Sequence, residues 1–150
     1  MRKKLSRQFI DILARLKMKD CVFCRIVKKE LPCYEIYEDK DFLAFLDIRP
    51  LNPGHTLVIP KKHYRWVWDV RNIKNYAAVV RKVANAIRKA MKTEWVISLV
   101  IGEAVPHAHI WLVPRYKNDG HPAGWLDMNN VKKLSEKEMR NIAGKIKKFL

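Results

Sequence analysis

The stretch Val105-Pro106-His107-Ala108-His109-Ile110-Trp111-Leu112-Val113-Pro114-Arg115 places two histidines and a tryptophan at every second position. On a β-strand, alternate side chains point to the same face of the sheet. We therefore predict that His107, His109 and Trp111 project together, while the small and aliphatic side chains between them face the other way. Two imidazoles and an indole on one strand face indicate a site, whereas a single strand histidine is more typical of a satisfied core position.

Periodicity on either side of this stretch indicates an antiparallel sheet with helices. Apolar residues spaced three and four apart predict a long helix over residues 73–91. Ser135 and Glu138 have the spacing of a capping box, so a final helix is expected over residues 135–149. Alternating or β-branched runs between short links predict strands over residues 34–38, 42–48, 56–59, 95–101 and 107–113. This order is typical of an α+β domain, with an antiparallel sheet of about five strands and one long central helix.

The formal net charge of +16 in 150 residues is unusual for a small enzyme and favours anionic partners. Much of it lies at the two ends of the chain. Residues 1–19 carry seven Lys/Arg and one Asp, and residues 132–150 carry seven Lys/Arg and two Glu. The apolar spacing within residues 1–19 predicts a basic amphipathic helix. These ends are either solvated helix faces or a surface for nucleic acid, and charge alone does not decide between them.

The sequence contains no run of 18 apolar residues, which excludes a transmembrane helix. Basic residues interrupt the first apolar segment, so it does not fit a secretory signal, and we expect a cytoplasmic protein. Three cysteines, an odd number, argue against a disulfide framework. Cys21 and Cys24 form a C-x-x-C pair that is more typical of a metal or redox site in a reducing compartment.

Four blocks of the sequence, in the same order, resemble the histidine-triad (HIT) nucleotide-binding family. The stretch from Val105 to Arg115 resembles its active-site strand, and Cys21 to Val27 resembles the opening strand of its bacterial members. Phe45 to Ile48 resembles the ribose-binding strand, and Pro53 to Tyr64 matches the stretch that follows. The resemblance spans residues 20–117 and predicts a HIT domain there. The basic helix expected over residues 1–19 precedes this domain, and a loop with a basic C-terminal helix over residues 118–150 follows it.

Membership of this family implies a nucleotide hydrolase or transferase in which His109 is the nucleophile. Its imidazole would attack the α-phosphate of a purine nucleotide, most simply an adenosine nucleotide, and form a covalent nucleotidyl-histidine. Family architecture implies that a backbone carbonyl holds the second ring nitrogen. The catalytic set is then His107, His109 and Trp111, where Trp111 stands at the position usually occupied by the third histidine. An indole donates one hydrogen bond but cannot deliver a proton.

The resemblance also implies a nucleotide pocket. Asp47 would bind the ribose hydroxyls, and the link of Gly102, Glu103, Ala104 and Val105 would offer backbone N–H groups to the phosphate. Glu103 stands where glutamine is common, and its charge is unfavourable beside a phosphate. The base would be enclosed by apolar side chains, some of which are equally explained as ordinary core: Phe23, Ile26, Leu31, Phe45, Leu46 and Ile48.

A structural zinc ion is the expected cofactor. Tetrahedral zinc sites use four Cys or His ligands, and Cys21, Cys24, His63 and His107 correspond to the ligands of zinc-containing family members. The alternative is a pair of reduced thiols beside a strand, with His63 on the surface. Of the remaining histidines, His55 is expected to be structural and His121 to be solvated.

Two other functions remain open from the sequence. A deadenylase that acts on adenylated nucleic-acid ends would use the basic terminal helices. A non-catalytic nucleotide-binding module would follow if Trp111 had removed turnover. The resemblance further implies a homodimer, in which some of Trp66, Trp68 and Trp125 would be buried.

Overall fold

The computed structural model describes residues 21–150, so the helix predicted over residues 1–19 lies outside the described residues. Its helices are α1 (Val22–Val27), α2 (Ile73–Met91) and α3 (Glu136–Lys147), with a short 3₁₀ turn at Val67–Asp69. Its strands are β1 (Glu35–Glu38), β2 (Phe42–Leu46), β3 (Thr56–Pro60), β4 (Val96–Leu99) and β5 (Ile110–Pro114). All neighbouring strands are antiparallel, in the order β1-β2-β3-β5-β4, which confirms the predicted α+β class.

The two long helices begin and end for local reasons. The Asn72 side chain accepts a hydrogen bond from the backbone N–H of Asn75 at the start of α2, and Lys92 adopts a left-handed conformation at its end. Ser135 and Glu138 form the predicted capping box at the start of α3. No helix among residues 21–150 is long and apolar enough to cross a membrane.

The opening segment corrects a prediction, because Cys21 to Val27 was expected to be a strand and residues 22–27 form helix α1. A short apolar run does not distinguish a buried strand from a buried helix turn. Here one helical turn places residues at i and i+3 on the same side, so the thiols of Cys21 and Cys24 approach one site. The aromatic ring of Phe23 is buried on the same helix.

The central strands β2 and β3 are buried along their whole length, and their two faces contact different layers. On one face, Ala44, Leu46 and Val58 pack with side chains of α2 and α3. On the other face, Leu43, Phe45, Leu57 and Ile59 pack with α1. The sheet therefore separates the layer of α2 and α3 from the layer that contains α1 and the candidate site.

The segment after β5 is attached to the sheet through Arg115, whose side chain is 3% exposed. Its guanidinium pairs with Asp119 at 2.7 Å and donates to the carbonyl of Trp125 at 2.6 Å. Burial raises the pKa of Asp119, but hydrogen bonds from Arg115 and backbone N–H groups outweigh it and hold that pKa well below its usual range. Asn52 also donates to Asp119 at 2.9 Å, which ties this segment to the turn before β3.

The prediction that His121 is solvated is wrong. Its Nε2 donates to the carbonyl of Leu51 at 2.8 Å, and its Nδ1 accepts from the backbone N–H of Asp127 at 3.1 Å. The loop from residue 118 onward gave no periodic pattern, because its polar groups are satisfied by these non-local hydrogen bonds rather than by a helix or strand.

We expect Arg115→Ala to lower the free energy of unfolding by about 3–5 kcal/mol, because it leaves the Asp119 carboxylate buried without its partner. The matched control is Arg140→Ala, since Arg140 forms an exposed pair with Glu136 on α3. That pair should contribute about 0–1 kcal/mol. Urea unfolding of both variants measures the difference. Equal losses of unfolding free energy would contradict the conclusion that Arg115 attaches the segment after β5 to the sheet.

Candidate active site

The side chains of His107, His109 and Trp111 lie on the face of the sheet that is covered by α1. The ring of Phe23 contacts both histidine rings edge-on, with centroids 5.8 Å from His107 and 5.3 Å from His109. Trp111 packs in the same apolar cluster as Phe23. The intervening Ala108, Ile110 and Leu112 pack on the opposite face, so the predicted alternation is confirmed.

Regular strand pairing begins only at Ile110, so the two histidines lie in the segment just before β5 rather than in a strand that begins at residue 107. The backbone N–H of Ala108 donates to the carbonyl of Tyr64, and the His107 ring donates to the carbonyl of Pro60 at 2.8 Å. Both acceptors belong to the end of β3 and the loop that follows it. The histidine segment is therefore held against this loop rather than by continued β-ladder bonds.

His109 is buried, and its Nδ1 lies 2.7 Å from its partner, the backbone carbonyl oxygen of His107. Because a carbonyl only accepts, Nδ1 carries the proton and Nε2 keeps its lone pair. Burial lowers the pKa of His109 and outweighs the opposing effect of this hydrogen bond. The imidazole is therefore neutral with an unprotonated Nε2, and His109 borders a cavity. The predicted carbonyl contact is confirmed.

The cavity beside His109 has a volume of about 580 Å³. Most side chains predicted to bind the nucleotide border it: Phe23, Ile26, Leu31, Phe45, Leu46, Asp47, Ile48, Ala104 and Val105. Leu46 is also buried in the core on the other face, and Ile48 is 78% exposed at the rim. Gly102 and Glu103 do not border the cavity.

Several residues that border the cavity were not predicted from the sequence. Cys33 and Arg49 follow predicted elements closely, so their positions alone could have indicated them. No sequence pattern indicated Leu51, Met128 or Val131. Met128 and Val131 belong to the loop after β5, which has no periodic pattern. That loop is held beside the cavity by hydrogen bonds that join it to Arg115, Asn52, Leu51 and Pro50.

Asp47 and His55 form a polar contact beneath the cavity. One oxygen of Asp47 accepts from the backbone N–H of Arg49 at 2.8 Å, and the other lies 3.8 Å from Nε2 of His55. His55 is fully buried, and its Nδ1 accepts from the backbone N–H of Leu51. Burial lowers the pKa of His55 to about 4, although Asp47 opposes this. The ring also packs against Trp111, with centroids 4.7 Å apart, which supports the structural role expected for His55.

The link before the histidines is positioned by Arg65 and Trp66. Arg65 donates to the carbonyl of Gly102 at 2.8 Å and stacks on the Trp66 ring at 3.8 Å. Gly102 has φ +69°, and a Cβ at this position would lie 2.6 Å from the Trp66 ring. Only glycine fits this approach without displacing the indole. Glu103 is exposed, so its carboxylate does not occupy the cavity.

Cys21, Cys24, His63 and His107 form a compact cluster, with all four candidate ligand atoms within 4.8 Å of one another. Nδ1 of His107 lies 3.4 Å from Sγ of Cys21 and 3.5 Å from Sγ of Cys24. Because Nε2 of His107 donates to Pro60, Nδ1 presents a lone pair to the thiols. Nδ1 of His63 lies 3.2 Å from Sγ of Cys24. Four such donors around one point fit a metal ion.

The pKa values of two members of this cluster, Cys24 and His107, are shifted. Burial and then the neighbouring thiol of Cys21 raise the pKa of Cys24 to about 12. Burial also lowers the pKa of His107 to about 4, although the Pro60 carbonyl opposes this. All three cysteines of the chain are free rather than joined in a disulfide. Two free cysteines and two histidines have the composition of a closed structural metal site, in which the protein supplies all four ligands.

Comparison with known proteins places this arrangement in a family. A model of the HIT domain matches residues 28–118. The chain is 41% identical over 112 residues to an uncharacterized HIT-like protein of Borreliella burgdorferi, which covers 69% of this chain and 81% of that protein. It is 31% identical over 134 residues to an adenosine 5′-monophosphoramidase of Saccharomyces cerevisiae, covering 83% of this chain and 84% of that one.

A solved structure of similar fold carries a metal. The zinc-bound histidine triad family protein of Mycobacterium smegmatis superposes with a TM-score of 0.68 at 32% identity, over 87% of this chain and 96% of that one. Fold, sequence and the arrangement of the site lead to one assignment. The chain belongs to the histidine-triad (HIT) family.

Proposed function

We propose that this protein is a nucleotide hydrolase or nucleotidyltransferase that acts at the α-phosphate of an adenosine-type purine nucleotide through a covalent nucleotidyl-His109. The observation that carries the proposal is the hydrogen bond from Nδ1 of His109 to the His107 carbonyl, which leaves Nε2 as a nucleophile beside the cavity. The similarity to a yeast protein named as an adenosine 5′-monophosphoramidase supports the substrate class. The cavity volume of about 580 Å³ is of the size that holds a nucleotide.

The chemistry follows two displacement steps. Nε2 of His109 attacks the α-phosphorus, and the bond from phosphorus to the leaving group breaks with its electron pair on the leaving group. The positive charge that forms on the ring is stabilised because Nδ1–H already donates to the His107 carbonyl. Water, or another acceptor, then attacks the phosphorus, loses its proton to solvent and releases neutral His109.

Other residues bind the substrate rather than react with it. Phe23, Ile26 and Phe45 offer an apolar enclosure for the base, and Asp47 offers carboxylate oxygens to the ribose hydroxyls. Ala104 and Val105 border the cavity, and their backbone N–H groups would donate to the phosphate. Glu103 is exposed beside this segment, so its charge faces solvent rather than the phosphate.

We extend the proposal to a zinc ion held by Cys21, Cys24, His63 and His107. The carbonyl of Pro60 fixes the tautomer of His107 as expected for a metal-ligating imidazole. When bound, zinc would supply a cross-link between α1, the loop after β3 and the histidine segment. Its role is structural, because His109 is not among the four donors. The zinc-bound Mycobacterium smegmatis relative supports the choice of metal.

The two rival functions have less structural support than the proposed one. In a deadenylase the basic C-terminal helix would contact nucleic acid near the cavity, but α3 packs on the other face of the sheet. Steep loss of DNA or RNA binding with salt would still favour that activity. Tight nucleotide binding without labelling of His109 would favour a non-catalytic module.

We also propose a homodimer. Strand β4 is at the edge of the described sheet, and Trp95, Val100 and Ile101 at its two ends are exposed apolar side chains. An unpaired edge next to apolar surface favours association with a second copy. Light scattering of the purified protein would give twice the chain mass of 17.7 kDa if the proposal is right.

We expect His109→Ala to abolish turnover of adenosine phosphoramidate while the fold and zinc content stay as in the wild type. The reason is that, among residues 21–150, His109 is the only histidine that borders the cavity. Mass spectrometry of quenched wild-type reactions should show a nucleotidyl adduct on His109 that the variant lacks. Near wild-type turnover by the variant would show that another group is the nucleophile.

We expect about one zinc ion per chain in protein purified without chelators. Cys24→Ser should lower the zinc content and the thermal stability, because structural metal binding contributes directly to folding. Cys33→Ser is the matched control, since Cys33 is a free cysteine outside the cluster and should not change the zinc content. Trace zinc in the wild type, with no effect of a chelator on stability, would refute this assignment.

We expect substrates with acidic leaving groups to react faster than those with amine leaving groups, because Trp111 cannot donate a proton. General acid assistance is typically worth about 10²–10⁴-fold, so Trp111→His should narrow the difference between the two classes. Rates for a series of leaving groups with both proteins measure the effect. Equal dependence on leaving-group acidity in the two proteins would mean that Trp111 has only a packing role.

A further inference from the structure

The outer side of helix α2 carries basic side chains and no acidic ones. The helix contains five Lys or Arg residues and no Asp or Glu. Its buried residues include Tyr76 and Val83, which pack in the core on the sheet. With about 3.6 residues per turn, Lys74, Arg81 and Lys89 lie on the opposite side of the helix, and all three are exposed. They follow one another at intervals of roughly 10–12 Å along the helix axis.

These three cations are not neutralised by neighbouring side chains. Among residues 21–150, no carboxylate lies within ion-pair distance of Lys74, Arg81 or Lys89. Arg88 on the same helix is different, because it pairs with Glu94. The row of three therefore keeps its full positive charge for a partner.

Helix α3 extends this charge, because it packs beside α2 on the same face of the sheet. Its Lys137 and Lys145 are exposed, and within the described part of the chain neither has a carboxylate partner. The two glutamates of α3 are already engaged, Glu136 with Arg140 and Glu138 in the capping box with the residue before the helix. We call the solvent-exposed side of α2 and α3 the helical face.

The other side chains of the helical face limit the kind of polyanion that fits it. The aromatic residue of α2 is Tyr76, which is fully buried, and α3 contains none. Single-stranded nucleic acids are usually held by stacking of bases on aromatic rings, which this face does not offer. Helices that bind a membrane surface insert a stripe of large apolar side chains. Here those side chains are packed in the core, except Ile73 at the start of α2.

A nucleic-acid duplex has the complementary charge and shape. Its two backbones carry one negative charge per about 1.7 Å of helix axis, so a straight row of cations meets phosphates along its whole length. Contacts to phosphates need neither stacking nor base readout. The length of α2, 19 residues or roughly 28 Å, is enough to follow a duplex over several base pairs.

We propose that the helical face binds double-stranded nucleic acid through its phosphates, without sequence specificity. The inference goes beyond the proposed function, because this duplex is not the substrate. The helical face and the cavity lie on opposite faces of the sheet, so a bound duplex leaves the cavity open. The protein would thus hold its nucleotide chemistry close to a nucleic acid.

The test measures binding of the full-length protein to a fluorescent DNA duplex of about 20 base pairs at several salt concentrations. The logarithm of the binding constant should fall linearly with the logarithm of the salt concentration. Arg81→Gln/Lys89→Gln should reduce the steepness of this dependence by about 2, since each lost phosphate contact removes about 0.9 from the slope.

The matched control is Lys40→Gln/Lys117→Gln. Both lysines are exposed and lie outside the two helices, in the turn between β1 and β2 and in the loop after β5. The control loses the same net charge, and the basic residues 1–19 are present in every protein compared. It should keep the wild-type slope. Thermal melting and light scattering of each variant check that fold and assembly are unchanged.

Several outcomes would overturn the proposal. The first is an equal loss of slope in both double variants, which would mean that only overall charge matters. The second is equal or tighter binding of a single strand of the same length. The third is tighter binding, at the same salt concentration, to phosphatidylserine vesicles that depends on Arg81 and Lys89.

A competition experiment separates the helical face from the cavity. AMP should not displace the duplex when sodium phosphate of equal ionic strength serves as the reference. Displacement by AMP would place the nucleic acid in the cavity, as a deadenylase requires, and would overturn this inference. His109→Ala should bind the duplex as the wild type does, so the inference can stand or fail independently of the proposed function.

Discussion

Two hydrogen bonds from neighbouring imidazoles to backbone carbonyls determine what this site can do. His107 donates from Nε2 to Pro60, and His109 donates from Nδ1 to the carbonyl of His107 itself. The two rings therefore hold opposite tautomers although they are two residues apart on one face. One lone pair, on His107, points to the thiols of the metal cluster, and the other belongs to the His109 ring, which borders the cavity. One backbone segment thus carries both His107, whose role is structural, and His109, whose proposed role is chemical.

The sheet makes this arrangement rigid, because β2 and β3 are buried on both faces. Helices α2 and α3 cover one face and leave the other for α1, the metal cluster and the cavity. The end of β3 and the loop that follows it join these parts, since Pro60, Tyr64 and Arg65 each contact the segment from Gly102 to His109. A change in this loop would therefore disturb both the candidate zinc site and the nucleophile.

The end of the chain contributes to the site as well as to the core. Arg115 is buried and bonded to the loop that follows it, so residues after the family domain approach the cavity in a fixed position. Helix α3 completes the core on the opposite face. The same C-terminal region therefore supplies stability on one side of the sheet and cavity wall on the other.

The sequence by itself determined the features that repeat with a local period. The alternation of His107 and His109 and the apolar stripe of α2 follow from burial on one face of one element. Resemblance to the HIT family added the residue types of the candidate metal cluster. Only the tertiary structure decided that residues 22–27 form a helix, that His121 is held by Leu51, and that Met128 and Val131 reach the cavity. These depend on non-local hydrogen bonds and packing, which leave no periodic pattern in the sequence.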